Sequence, residues 1–132
     1  MAIQLSVAYR NAMLDQLETT VSVIPRLNLY SGTQPSSASV ADTGELASIL
    51  LPSDWMNVAS GGSKTLLGTW TGSATGAGTV GHFRLIDSAS ACHMQGNVTA
   101  TAGGGDMTLD NTNVSASQTV TVTTFSLTAP GV

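Results

Sequence analysis

Two histidines and one cysteine are the residues of this chain best suited to bind a metal ion or to move a proton. His82 and His93 lie in neighbouring predicted strands and could meet across a sheet, and Cys92 directly precedes His93. Consecutive residues of a strand point to opposite faces, so Cys92 and His93 cannot bind the same ion. The pattern therefore predicts no metal site, and we interpret both histidines as polar residues on the exposed face of a hairpin.

Other segments resemble ligand-binding loops only in part. Residues 103–111 include Asp106, but the residue two positions later is Thr108, and the Glu that closes a calcium-binding EF-hand loop is missing. Residues 61–64 lack the first glycine of a phosphate-binding loop. There is no Gly-x-Ser-x-Gly motif, and nothing in the sequence pairs two carboxylates for glycoside hydrolysis. We therefore predict no catalytic residue and no cofactor, and we expect that the chain is not an enzyme.

The composition is unusually poor in charge. Charged residues make up 9% of the 132 residues, whereas a typical soluble domain carries about 25%. A weakly charged surface loses little on desolvation, and charged residues are depleted at the centres of protein interfaces. This composition favours a protein that binds other protein surfaces, although a β-rich domain that simply favours threonine explains it as well.

The charge balance and the lack of long apolar segments also limit the possible partners. The net charge is −4, with only four Lys and Arg residues, so we expect no binding to nucleic acid. No segment approaches the about 18 apolar residues of a membrane helix, and the start of the chain lacks the basic region of a secretory signal. Cys92 is the only cysteine, which excludes an internal disulfide and is typical of a reducing cytoplasm.

The start of the chain carries the only clear helical pattern. We predict an N-terminal helix within residues 1–22, which must end before Pro25 because proline cannot continue it. Asn11, Asp15 and Glu18 lie off its apolar stripe. We expect the stripe to cover the core of the chain's own domain, and the alternative is a helix that docks on a partner. The stripe has one apolar residue every four positions: Leu5, Tyr9, Met13, Leu17 and Val21.

Residues 26–128 read as about seven or eight short strands separated by turns rich in Gly and Ser. In the clearest hairpin, Phe83 and Leu85 alternate with polar neighbours, and Cys92 shares a face with Met94. The last strand shifts phase after Val122, as a β-bulge produces.

The predicted fold is mainly β, an antiparallel β-sandwich or jelly roll with one short N-terminal α-helix, and residues 1–132 form a single domain. The predicted core consists of eight apolar residues: Trp55, Trp70, Phe83, Leu85, Val98, Val120, Val122 and Phe125.

Several stretches of the chain resemble small virion proteins of tailed bacteriophages. They are SVAYRNAMLDQLE, LPSDWM, SGGSKTLLGTW, GTVGHFRLID, CHMQGNVTATAGGGDMTLDNTNV and QTVTVTTFSLT, and together they extend over most of the chain from Leu5 to Thr128. The family is largely uncharacterised, so the resemblance implies a phage particle without assigning a place in it. Small phage β proteins of this size often resemble the cement or decoration proteins that clamp a capsid lattice.

From the resemblance and the low charge we expect a structural virion protein on the capsid surface, assembled in the cytoplasm of the host bacterium. Its partner would be the major capsid protein, and it would form a homo-oligomer, a dimer or trimer. Tyr9 and Arg10 are the candidate contacts with that partner. The alternative is a tail, baseplate or fibre component involved in host attachment, and a further alternative is a cell-wall hydrolase.

Overall fold

Nine short strands follow one helix in the computed structural model, which describes residues 3–132. The helix, α1, spans Val7–Val21 and lies within the predicted segment 1–22, of which residues 1–2 are outside the described part of the chain. The mainly β class with one short N-terminal helix is confirmed. The strands are β1 (Arg26–Ser31), β2 (Glu45–Leu50), β3 (Ser63–Thr65), β4 (Thr71–Ser73), β5 (Gly78–Ile86), β6 (Cys92–Ala100), β7 (Met107–Leu109), β8 (Asn113–Val114) and β9 (Thr119–Thr128).

Local hydrogen bonds set both ends of helix α1. The Ser6 hydroxyl oxygen accepts a hydrogen bond from the backbone N–H of Tyr9 at 3.2 Å, the usual role of serine at a helix N-cap. At the other end the Ser22 N–H donates to the Glu18 carbonyl, and Ser22 takes a φ of 71° that stops the helix. Pro25 then leads the chain into β1, as predicted from the sequence.

The strands form one strongly curled, mixed sheet in the order β2-β1-β5-β6-β7-β9-β3, with β4 beside β9 and β8 beside β5. A bridge between Ala47 and Ala74 joins β2 to the residue after β4, so the sheet curls until its ends meet. The two facing sheets of the predicted sandwich or jelly roll are not confirmed. One pairing, β6 with β7, is parallel, because residues 101–106 return the chain to the level of Val98.

The inside of the curl holds the core. All eight predicted core residues are buried, so this prediction is confirmed. The Phe125 ring lies 5.4 Å from the Trp70 ring and 5.6 Å from the Phe83 ring, and Trp55 lies 6.1 Å from Trp70. The Trp70 indole N–H donates to the Trp55 carbonyl oxygen at 3.1 Å, so the buried ring also satisfies its polar atom.

Two bulges set which side chains reach the outer face of the sheet. In β9, Thr124 pairs with Thr108 while Val122 pairs with Leu109, so the bulge predicted from the phase shift is confirmed. The β5–β6 hairpin contains a second bulge, since Met94 pairs with Leu85 but Cys92 pairs with Ile86.

The second bulge corrects one prediction. Cys92 does not share the core face with Met94, because the extra residue His93 turns the Cys92 side chain outward. It lies on the same face as Arg84, which donates a hydrogen bond to it.

Candidate functional site

Helix α1 packs on the rest of the chain through a polar seam, the set of hydrogen bonds between α1 and residues 56–64 together with Ala129. At one end of the seam, Lys64 Nζ lies 2.6 Å from Asp15 Oδ1 and 2.8 Å from Glu18 Oε2. The same two carboxylates accept backbone N–H groups, Asp15 from Ala59 at 2.9 Å and Glu18 from Met56 at 3.2 Å. The Lys64 side chain is only 1% exposed, so this cluster places a buried cation directly beneath the helix.

The cluster changes the acidity of its members. The hydrogen bond from Lys64, reinforced by the Ala59 N–H, holds the pKa of Asp15 below its ordinary value. Burial alone would lower the pKa of Lys64, but its hydrogen bonds to Asp15 and Glu18 and their negative charges outweigh burial and raise it. Both directions favour the charged forms, so the ion pairs persist across neutral pH.

At the other end of the seam, Arg10 is buried and donates to the Ala129 carbonyl oxygen from Nε at 3.2 Å and from Nη2 at 2.9 Å. Its guanidinium lies so close to Gly62 that a Cβ at Gly62 would collide with it. Gly62 also has a φ of 79°, and its N–H donates to Asn11 Oδ1 at 2.8 Å. The Arg10 guanidinium therefore packs directly against the 61–62 turn and attaches α1 to it.

The apolar stripe of α1 is divided, which corrects the expectation that all of it covers the core. Val21 is buried and Leu17 partly buried, but Tyr9 is 59% exposed and Met13 is 41% exposed. The physical reason is the four-residue spacing, which is offset by about 40° at each step around a helix of 3.6 residues per turn. The stripe therefore winds around α1, so that Tyr9 and Met13 face solvent while Leu17 and Val21 face the domain. We call the exposed side the outer face of α1: Ala8, Tyr9, Ala12, Met13, Gln16, Thr19 and Thr20.

The structure places the two candidate partner contacts differently. The Arg10 side chain contacts its own chain, which is the packing role within the domain, whereas the Tyr9 side chain is free to meet another molecule. Tyr9 therefore stays a predicted contact. Within the outer face no residue carries a charge.

A second polar region lies beneath residues 32–44, which cross the outer side of β1, β5 and β6. His82 is 1% exposed, with Nδ1 at 2.8 Å from the Gly32 carbonyl oxygen and Nε2 at 2.5 Å from Asp42 Oδ2. Its ring stacks on Tyr30 at a centroid distance of 5.2 Å. The interpretation of His82 as an exposed hairpin residue is therefore wrong, because the 32–44 segment covers it.

Two more side chains hold the 32–44 segment from below. Arg84 Nη2 donates to the Ala38 carbonyl oxygen at 2.5 Å, and its Nε donates to Cys92 Sγ at 3.3 Å. The Gln95 amide donates to the Pro35 carbonyl oxygen at 2.7 Å. Alternation in the sequence makes the outer face of β5 and β6 polar. In the structure residues 32–44 cover this face and are attached to it by these hydrogen bonds.

A cleft of about 490 Å³ opens beside this attachment. Arg84 and Asp42 both line it, between the 38–42 part of the loop and the turn that follows β5. Its remaining lining residues are Tyr30, Ile86, Ser90, Ala91 and Cys92.

The candidate metal-binding residues do not come together. His82 pairs with Asn97 across the sheet, while His93 lies on the bulge and contacts Asp87 at 2.7 Å. The hydrogen bond from His93, followed by backbone N–H groups of the turn, lowers the pKa of Asp87. No group of three metal-ligating side chains occurs among residues 3–132.

The loosely calcium-like segment has a local structural role. Asp106 accepts the Asn97 N–H at 3.0 Å, and Asp110 accepts the Thr121 N–H at 3.0 Å. Both carboxylates therefore accept backbone N–H groups within the neighbouring strands β6 and β9, which gives them a structural role in their turns.

Comparisons with known proteins identify no relative: no family model, no curated protein and no solved structure matches the chain. The resemblance to phage virion proteins stays an expectation. In the described part of the chain, no helix has the length and apolar character needed to cross a membrane.

Proposed function

We propose that this chain is a structural protein of a tailed-bacteriophage particle that binds the major capsid protein as a cement or decoration protein. The observation that carries the proposal is the outer face of α1. The helix uses its charged residues Arg10, Asp15 and Glu18 to bind its own domain. It thereby leaves an uncharged face with an exposed tyrosine and methionine for another surface.

The outer face has the properties of a protein-binding surface. Aromatic residues and methionine are enriched at protein interfaces, and charged residues are depleted at their centres. Tyr9 and Met13 are one turn apart on the helix, so both side chains can enter one apolar groove of a partner. The fold does not require the Tyr9 and Met13 side chains to pack in the core, because the polar seam already attaches the helix to the domain.

The distribution of cations supports a protein partner over a nucleic acid. Of the four basic residues, Arg10, Lys64 and Arg84 are buried within the chain, and only Arg26 is exposed. Phosphate backbones are bound by clusters of exposed basic side chains. A surface with so few exposed cations instead favours a protein partner. We also propose that the chain acts as a dimer or trimer on the capsid.

The contacts of the buried His82 favour a structural role for this residue over a catalytic one. A general base needs a ring nitrogen free to take a proton from the reacting group. In His82 both ring nitrogens already face oxygen atoms, of Gly32 and Asp42. Its contacts therefore fit the attachment of the 32–44 segment.

The copy number of the chain in purified particles tests this proposal. Quantitative gel densitometry against the major capsid protein is expected to give on the order of hundreds of copies per particle, as a lattice-covering protein requires. A copy number of about six to twelve, or gold-labelled antibody on the tail tip, would assign the chain to the tail instead. Absence from washed particles would remove the virion role altogether.

A further inference from the structure

The guanidinium of Arg84 is a buried charge without a counter-ion in its own chain. Arg84 is 5% exposed, yet no carboxylate of residues 3–132 lies within 4.0 Å of it in an ion pair. Buried charges are normally paired, because removing an ion from water is costly. An unpaired guanidinium on the wall of a cleft therefore points to a missing anion.

The neighbouring groups leave this charge uncompensated. The Asp42 carboxylate that lines the same cleft is bonded to His82 Nε2. Cys92 Sγ accepts from Arg84 Nε and lies 3.3 Å from the Met94 carbonyl oxygen, so no carboxylate faces Arg84 on this side. The carbonyl of Ala38 supplies a dipole but no charge.

Arg84 keeps one nitrogen available for a ligand. Its Nε and Nη2 donate within the chain, but Nη1 has no protein acceptor among the described residues and is not sealed from solvent. Guanidinium N–H groups form strong, charge-assisted hydrogen bonds to carboxylates and phosphates. Nη1 thus supplies the donor that an anion in the cleft requires.

The cleft wall selects among anions. Its volume of about 490 Å³ is in the range of small-molecule sites. Among the described residues, Arg84 is the one unpaired charge on this wall, so a monocarboxylate matches it, whereas a phosphate dianion would bring a second negative charge that has no partner there. Val40, Ile86 and Ala91 line the cleft as well and give an aliphatic body an apolar surface.

We propose that the cleft between residues 38–42 and 90–92 binds a carboxylate with a short aliphatic stem, with Arg84 as its ion-pairing partner. Two sources share this chemistry: a free short-chain acid, and an acidic side chain of a bound protein. The site is separate from the outer face of α1 and does not depend on the capsid role.

Nuclear magnetic resonance of the full chain tests the site with sodium butyrate as the probe. We expect saturable chemical-shift changes at the backbone amides of residues 38–42 and 90–92 and at Arg84 Nε. Sodium chloride at equal ionic strength and 1-butanol are expected to produce none, because neither combines the charge with the stem. Changes that do not saturate, equal changes with 1-butanol, or tighter binding of phosphate than of butyrate would overturn the proposal.

A cleft-filling variant and a matched control keep the test independent of Arg84, whose replacement could disturb folding. Ala91→Phe fills the cleft and is expected to weaken butyrate binding at least about tenfold. Ala89 is exposed in the same turn and does not line the cleft, so Ala89→Phe is expected to leave affinity within about twofold. Equal affinity in the two variants contradicts the assignment.

A final titration distinguishes the two sources. N-acetyl-aspartate methylamide carries the side chain of a protein acid, whereas butyrate represents a free acid. Tighter binding of the aspartate derivative identifies the site as a receptor for a partner's acidic side chain, and tighter binding of butyrate identifies a small-molecule site. Binding of neither probe overturns the proposal.

Discussion

Lys64 Nζ lies 2.6 Å from Asp15 Oδ1, and this contact joins strand β3 to helix α1. The Lys64 side chain is 1% exposed, whereas the Asp15 side chain is 40% exposed. Water can therefore solvate the charge of Asp15 if the pair is broken, but it cannot solvate the charge of Lys64. Loss of the lysine leaves carboxylates that water can reach. Loss of the carboxylates leaves a buried ammonium with no counter-ion.

This asymmetry predicts unequal effects of substitutions on the two sides. We expect Lys64→Met to lower the free energy of unfolding by less than about 1 kcal/mol, because an apolar residue replaces the buried cation. The double variant Asp15→Asn/Glu18→Gln is expected to lower it by about 3 kcal/mol, since Lys64 stays buried without its partners. Urea denaturation followed by tryptophan fluorescence measures both values, and the reverse order would show that Lys64 is not buried as described.

The lowered pKa of Asp15 predicts acid sensitivity. A carboxyl group whose pKa is lower in the folded state stabilises the fold above its unfolded pKa of about 3.9. That contribution is lost as the pH falls through the lower, folded value. We expect the free energy of unfolding to decrease from about pH 5 towards pH 2, with a flatter profile in Asp15→Asn.

Asp54→Asn is the control for this acid profile, because Asp54 is an exposed acid outside the polar seam. Its pH profile of the free energy of unfolding is expected to follow that of the wild type. A profile of Asp15→Asn with the wild-type slope would show that Asp15 does not contribute to acid sensitivity.

The Arg10–Gly62 contact predicts a difference between two adjacent glycines. Both have positive φ, 60° at Gly61 and 79° at Gly62, but a Cβ at Gly61 meets nothing within 4 Å while one at Gly62 meets the Arg10 guanidinium. Gly62→Ala is therefore expected to cost about 2 kcal/mol more than Gly61→Ala.

A double-mutant cycle identifies the cause of this difference. In an Arg10→Ala background, the gap between Gly62→Ala and Gly61→Ala is expected to shrink, because the colliding group is gone. An unchanged gap would assign the cost to backbone strain at Gly62 alone.

The two histidines predict different contributions to stability. His82→Ala leaves the Asp42 carboxylate without its partner beneath residues 32–44, and we expect a loss of about 2 to 4 kcal/mol. His93 lies at the surface on its bulge, so His93→Ala is expected to change stability by less than about 0.5 kcal/mol. Hydrogen exchange of residues 32–44 should rise in His82→Ala alone, and protection equal to the wild type would contradict the attachment.

The spacing of apolar residues and the positions of proline and glycine predicted much of the local structure. Six of the eight core residues, the β5–β6 hairpin and the β9 bulge follow from the alternation of apolar and polar residues along each strand. The other two core residues, Trp55 and Trp70, lie outside the strands. The end of α1 before Pro25 follows from the missing N–H of proline in the same way.

The contacts between segments that are distant in sequence could not be predicted from these local patterns. The parallel β6–β7 pair depends on how residues 101–106 return, and the burial of His82 depends on a loop about forty residues away in sequence. The inward turn of the charged face of α1 depends on a buried Lys64 in another element. A usable signal for the seam was present, because Asp15 and Glu18 are one turn apart in a chain with only four basic residues.

We propose that the outer face of α1 binds the phage shell. This proposal is tested by cosedimentation of the purified chain with shells that lack it, comparing the wild type with Tyr9→Ser/Met13→Ser. The control Leu50→Ser/Val132→Ser removes exposed apolar residues elsewhere. We expect saturable wild-type binding, an at least about tenfold loss in the α1 variant and no loss in the control. Equal binding of the α1 variant and the wild type, or no wild-type binding, would contradict the proposal.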